Sequence, residues 1–85
     1  MVRSAQVIRS EDHRDVTLEL RHASTDTPIC VGDRVTARGN VYIVVGGRAP
    51  HKFGSTGRVW VKASIEQVFV SEFFPSVINA VWSEV

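Results

Sequence analysis

Asp33-Arg34-Val35-Thr36-Ala37-Arg38-Gly39-Asn40-Val41-Tyr42-Ile43-Val44-Val45 is the stretch on which the fold turns. Its β-branched and aromatic residues suit a pleated, half-buried surface. Glycine at the first central position of Gly39-Asn40 suits the type II′ turn, whose twist matches that of paired strands. The stretch therefore predicts a hairpin with one strand over residues 33–38 and the next over residues 41–45.

The same pattern of short valine-rich runs separated by turn residues continues in both directions. Upstream, residues 6–9 read as a short strand ended by the polar cluster Ser10-Glu11-Asp12-His13-Arg14-Asp15. Residues 16–21 alternate, which points Val16, Leu18 and Leu20 inward. Residues 23–28 form a loop, because their side chains bond the nearby backbone and Pro28 has no N–H to give. Downstream, strands are expected over residues 57–62 and 68–73. A single helical turn follows at Phe74-Pro75-Ser76-Val77-Ile78, where proline fixes φ at about −65°, and then a last strand over residues 79–83.

Five short antiparallel strands, one long loop and a 3-10-like turn before the last strand make the layout of an all-β, SH3-like small barrel. Residues 1–28 add an N-terminal hairpin and loop to a barrel of residues 29–85, in one domain. Closure would leave few exposed strand edges. Val31-Gly32-Asp33-Arg34-Val35 resembles the opening strand of many such barrels, where a glycine-aspartate pair turns the chain into the sheet.

Eighty-five residues allow one compact core. Apolar residues make up 44% of the chain, yet no apolar run reaches the about 18 residues of a membrane span, so a non-membrane protein is expected. Met1-Val2-Arg3-Ser4-Ala5-Gln6 has no apolar stretch behind its arginine, which predicts no secretory leader and a cytoplasmic location. Cys30, a lone cysteine within Ile29-Cys30-Val31, reads as a small buried hydrophobe; the alternative is a reactive thiol.

The net charge of +1 conceals a segregation. Between residues 31 and 62, Arg34, Arg38, Arg48, Lys52, Arg58 and Lys62 face a single acid, Asp33, so the middle of the chain is basic and both ends are acidic. Apolar residues are in surplus. If Val41, Ile43, Val45, Val59, Val61, Val68 and Val70 fill the barrel, then Tyr42, Val44, Trp60 and Phe69 point outward and form a second apolar face. Either the N-terminal hairpin lies across that face, or it is a surface for a partner or a second copy, giving a homodimer.

The loop Gly46-Gly47-Arg48-Ala49-Pro50-His51-Lys52-Phe53-Gly54-Ser55-Thr56-Gly57-Arg58 sets glycines and the hydroxyls of Ser55 and Thr56 beside positive charge, the chemistry of an anion or phosphate site. The plainer alternative is turn geometry and hydration of a long loop. As a nucleic-acid site it would use the six bases of residues 34–62 as phosphate contacts, with Phe53 or His51 as stacking partner. An acidic protein surface is the other candidate target. The loop is not a P-loop, since no Gly-Lys-Ser/Thr follows its glycines. His13, His22 and His51 lie in separate segments without metal-ligand spacing, so neither catalysis, nor a metal, nor a cofactor is expected.

Gly46-Gly47-Arg48-Ala49-Pro50-His51-Lys52, then Gly54-Ser55-Thr56-Gly57-Arg58-Val59-Trp60-Val61, then Glu72-Phe73-Phe74-Pro75-Ser76-Val77-Ile78 and Trp82 together resemble a group of small phage and prophage proteins, over about residues 32–82. That family brings no known activity. The resemblance implies a mobile-element accessory protein acting on a host component. Gly32-Asp33-Arg34-Val35 is also similar to a strand opening in the plasmid-borne dihydrofolate reductases, which are tetramers of SH3-like barrels; the likeness stops at that stretch. The resulting expectation is a non-enzymatic binding module that takes a host protein or nucleoprotein through its basic loop and aromatic face. The alternatives are a nucleic-acid-binding barrel and a small oligomeric enzyme of the reductase type.

Overall fold

A computed structural model describes residues 6 to 85, so the expectation of no leader at residues 1–5 lies outside the described residues. The chain is all-β and antiparallel. Its strands are β1 (Arg9–Glu11), β2 (Thr17–His22), β3 (Arg34–Ala37), β4 (Asn40–Arg48), β5 (Arg58–Lys62), β6 (Ser71–Phe73) and β7 (Ala80–Glu84), with a 3-10 turn at Pro75–Ile78 before the last. Among the described residues, no helix is long and apolar enough to cross a membrane.

The strands form two sheets, in the orders β1-β2-β7 and β3-β4-β5-β6. Closure into a single barrel, as expected from the sequence, does not occur, because no ladder joins β6 to β7. The chain leaves β6 through the 3-10 turn, and β7 then pairs with β2 of the N-terminal hairpin, Leu20 opposite Trp82. On the other side the sheets are stitched together by residues 29–33. Ile29 N–H donates to Leu20 O and Ile29 O accepts from Ile8 N–H (2.8 and 3.1 Å). Gly32 N–H donates to Val44 O and Asp33 O accepts from Val44 N–H (2.8 and 2.9 Å). The glycine-aspartate pair makes this corner. Gly32 takes a φ of +94°, and the Asp33 carboxylate accepts the Cys30 N–H at 2.8 Å.

The central hairpin forms with a different turn. Ala37 pairs with Asn40, and both Arg38 (φ 51°) and Gly39 (φ 81°) are left-handed, the signature of a type I′ turn centred one residue earlier than expected. Glycine suits the second position, but an arginine at the first bears the Cβ strain of that conformation.

Strand β4 also corrects the expected facing. Val44 is fully buried, so it is core rather than part of an outer patch; Val41 is exposed and Ile43 half-buried. A β-bulge between Val44 and Gly46 adds a residue to β4, so Val44 lies opposite Val61 but Gly46, not Val45, lies opposite Trp60. Val59 and Val61 are buried as expected. Val68 and Val70 do not fill the interior: the strand expected at residue 68 starts only at Ser71, and Ile65, Val68, Phe69 and Val70 stay exposed, Val68 at 85% and Phe69 at 78%. The physical reason is pairing length, since β5 ends at Lys62 and its register with β6 ends at Val61 opposite Ser71.

The N-terminal hairpin does form a second layer, but on the inner face. Leu20 and Ile8 join Ile29, Val35, Ala37, Val44, Val59, Val61, Ile78 and Ala80 in one core, with Tyr42, Phe73, Val77 and Trp82 packed around it. The tight turn between β1 and β2 is held by buried Asp12, whose carboxylate accepts the backbone N–H groups of Arg14 and Val16 and the Arg14 guanidinium. Burial pushes the Asp12 carboxyl up, but those hydrogen bonds and the Arg14 charge outweigh it and leave it below its ordinary value. Glu19, also buried, is paired with Arg9 and Arg21.

Replacing Arg38 with asparagine would create the Asn-Gly pair preferred for a type I′ turn. Arg38→Asn is expected to stabilise the fold by about 0.5–1 kcal/mol in urea unfolding; a loss of stability would show that Arg38 contributes more through Phe73, whose ring centre lies 6.0 Å from its guanidinium, than it costs in strain.

Candidate anion-binding cleft

Strands β4 and β5 are joined by residues 49–57, and the last rung of their ladder places Arg48 directly opposite Arg58. Like charges facing each other across a ladder are destabilising, so this register needs compensation. Arg58 finds it locally. Its guanidinium lies 4.4 Å from the centre of the Phe74 ring, Nη1 donates to Gly57 O at 2.8 Å, and Nε sits 3.8 Å from a Glu72 carboxylate oxygen. Arg48 has no carboxylate partner among the described residues.

The base of the loop is fixed by Trp82. A glycine is required at Gly57, where a Cβ would lie 2.9 Å from the indole and 2.6 Å from Arg48 O, and it is favoured at Gly47, where a Cβ would fit tightly at 3.0 Å from both the indole and Arg58 O. Gly57 also has a φ of +75°. On the outer face Trp60 lies against Gly46, where a Cβ would sit 3.1 Å from the ring. The Gly46-Gly47 pair thus belongs to β4 and lets one tryptophan approach each face of the strand, a role the sequence reading, which began the loop there, missed. Ala49 is buried, and Pro50 O accepts the His13 N–H at 3.0 Å, tying the loop to the N-terminal turn. At the tip, Ser55 N–H donates to Lys52 O (3.1 Å) around Gly54, and Ser55 Oγ accepts the Gly57 N–H at 3.3 Å.

Between this loop and the β5–β6 edge lies a cleft of about 540 Å³, lined by Arg48, His51, Lys52, Phe53, Arg58 and Phe74 together with Ser55, Thr56 and Glu72. Three permanent cations and a histidine face one acid. Phe53 stands at its lip 94% exposed, touched edge-on by His13 at 6.4 Å between ring centres.

Of the ten basic-loop residues named from the sequence, Arg48, His51, Lys52, Phe53, Ser55, Thr56 and Arg58 gather at this cleft. The other three do not. Arg34 and Lys62 both lie opposite Ile43, one on each neighbouring strand, and Arg38 sits at the hairpin tip beside Phe73. Phe74 and Glu72 were missed as cleft residues; the signal available was their place just before Pro75, but only the β5–β6 register brings them to Arg58.

The four residues named as an outer face separate as well. Val44 is core, and Tyr42 packs inward against Phe73 at 5.2 Å. Trp60 is half-buried in a groove with Val7, Ile8 and Val31, while Phe69 lies apart in the exposed segment before β6. Burial pushes the Cys30 thiol above its ordinary value, and the Asp33 and Glu19 charges add to this, which disfavours the thiolate a nucleophile needs. Among the described residues, no three His, Cys, Asp or Glu side chains come together as a metal-ligand set.

Comparison with protein-family models, curated proteins and solved structures finds no match for this chain.

The two glycines of the loop with left-handed backbone separate strain from crowding. Gly54→Ala (φ +86°, open space around it) should cost about 1 kcal/mol. Gly57→Ala, which adds overlap with Arg48 O and Trp82, should cost at least about twice that by thermal or urea unfolding. Equal losses would mean that Trp82 does not hold the loop base.

Proposed function

We propose that this protein is a binding module without catalytic chemistry of its own, and that the cleft beside residues 48–58 captures an anionic part of its partner. One observation carries the reading: the β4–β5 register holds Arg48 opposite Arg58 at the mouth of a cleft that also contains Lys52 and His51, with Glu72 as the single acid. Holding guanidinium groups together costs free energy in the empty protein, and an anion bound between them would offset it. The resemblance to phage and prophage proteins, carried by the same loop and by residues 72–82, supports a host protein or nucleoprotein as the partner. Arg48→Glu combined with Lys52→Glu should abolish capture of the partner from bacterial lysate by the tagged protein, while Arg34→Glu, outside the cleft, leaves it intact. Capture that survives the double reversal would sink this assignment.

A second copy of the chain is the partner proposed for the exposed segment before β6. Among the described residues, strand β6 pairs only with β5 and so offers an open edge, and Ile65, Val68, Phe69 and Val70 lie exposed in the segment that leads into it. An antiparallel edge is self-complementary about a two-fold axis, so two copies can extend the sheet through β6 and bury these side chains together. This moves the expected self-association surface from Tyr42, Val44 and Trp60 to Phe69 and its neighbours. Sedimentation equilibrium at tens of micromolar should give a dimer mass for the wild type and a monomer mass for Phe69→Asp. A monomeric wild type would refute the pairing.

A further inference from the structure

We infer that the ligand class of the cleft is single-stranded nucleic acid, held by phosphate contacts from Arg48, Lys52 and Arg58 and by base stacking on Phe53 and on the Arg58–Phe74 pair. The inference rests on the anion-binding reading of the cleft and adds what the charges alone do not specify.

Positive charge would serve an acidic peptide or a phosphate equally; the aromatic rings decide between them. Phe53 is exposed over 94% of its surface at the tip of a loop whose other residues are polar, charged, proline or small. Its ring buries almost nothing in the fold, so folding does not account for it. Phe74, half-exposed and also lining the cleft, carries the Arg58 guanidinium 4.4 Å from its ring centre. An arginine held over an aromatic ring gives a base a cationic and aromatic surface to pack on, and every base has a π-face to offer. The cleft thus alternates stacking surfaces with cations, which is the composition of a single-strand track.

Ser55, Thr56 and His51, which also line it, add hydrogen-bond donors suited to phosphate oxygens or sugar hydroxyls. Duplex recognition fits less well. Reading a major groove takes a helix or a two-stranded ribbon inserted into it, whereas here the stacking surfaces lie across a cleft of about 540 Å³, which admits unstacked bases and not a double helix. Glu72, 3.8 Å from Arg58 Nε, opposes a phosphate at that spot, so Arg48 and Lys52 make the main phosphate contacts and Arg58 works chiefly through its stacked face.

Fluorescence anisotropy on the full chain tests this with three labelled probes: a dodecamer of deoxythymidylate, a 12-base-pair duplex, and an octapeptide of glutamate. The single strand should bind, with an affinity that falls steeply as salt rises, and should bind at least about fivefold more tightly than the duplex. Phe53→Ala should weaken it by at least about fivefold while leaving thermal unfolding unchanged, because that side chain is exposed. Phe74→Leu, which keeps apolar bulk, should weaken it similarly. Binding of the glutamate peptide but not the thymidylate strand would leave the anion-binding cleft standing and overturn this inference. Single-strand binding indifferent to both phenylalanine changes, or duplex binding of equal strength, would also overturn it. Failure of all three anionic probes would remove the cleft reading together with the inference.

Discussion

The contact between the Trp82 indole and the backbone of Gly47 and Gly57 is the constraint on which the rest of this small protein depends. Trp82 belongs to the last strand, is paired with Leu20 of the N-terminal hairpin, and lies beneath the point where β4 ends and β5 begins. One ring therefore joins the first sheet, the second sheet and the base of the long loop. Its Nε1 is buried and has no hydrogen-bond partner among the described residues, a penalty of about 1–3 kcal/mol that the packing of the ring has to exceed. The ring packs on Gly57, which no other residue could replace without overlap, and on Gly47, where an added Cβ would be a tight fit against the ring.

From that anchor the electrostatics follow. Fixing the ends of β4 and β5 fixes Arg48 opposite Arg58, and the remaining side chains of the loop project from a base that cannot move freely. The same rigidity brings Phe74, one residue before the 3-10 turn, under the Arg58 guanidinium. The proposed ligand cleft is thus a product of two registers, β4 with β5 and β5 with β6, rather than of the loop alone. Pre-organisation of this kind lowers the ordering cost of binding, which otherwise weakens sites built on flexible loops.

How far the sequence reveals this depends on the range over which each signal acts. The strands, the hairpin around Gly39, the corner at Gly32-Asp33 and the turn begun by Pro75 are local, set by turn chemistry and β-branched runs within a few residues, and they occur within a few residues of where those signals put them. The facing of β4 is not local in that sense: Val44 points inward because it pairs with buried Val61, the bulge re-aims only the residues after Val44, and nothing in Val41-Tyr42-Ile43-Val44-Val45 marks either, because every position is apolar. The stretch from Ile65 to Val70 carries a strand-like composition but has no partner of matching length in β5, so composition predicted burial where the fold supplies none.

By itself, then, the sequence determined that the chain is all-β, where most of its turns fall, and that basic residues crowd its middle, since each of these is a property of neighbouring residues. The tertiary structure alone decided three things: that the two sheets stay open between β6 and β7, that only three of the six basic residues of that middle meet at one cleft, and that Trp82 supports the loop they line. The reason is physical. Closure, convergence of charge and the approach of a ring to a glycine all depend on the register between strands distant in sequence, and register is set by packing across the whole core.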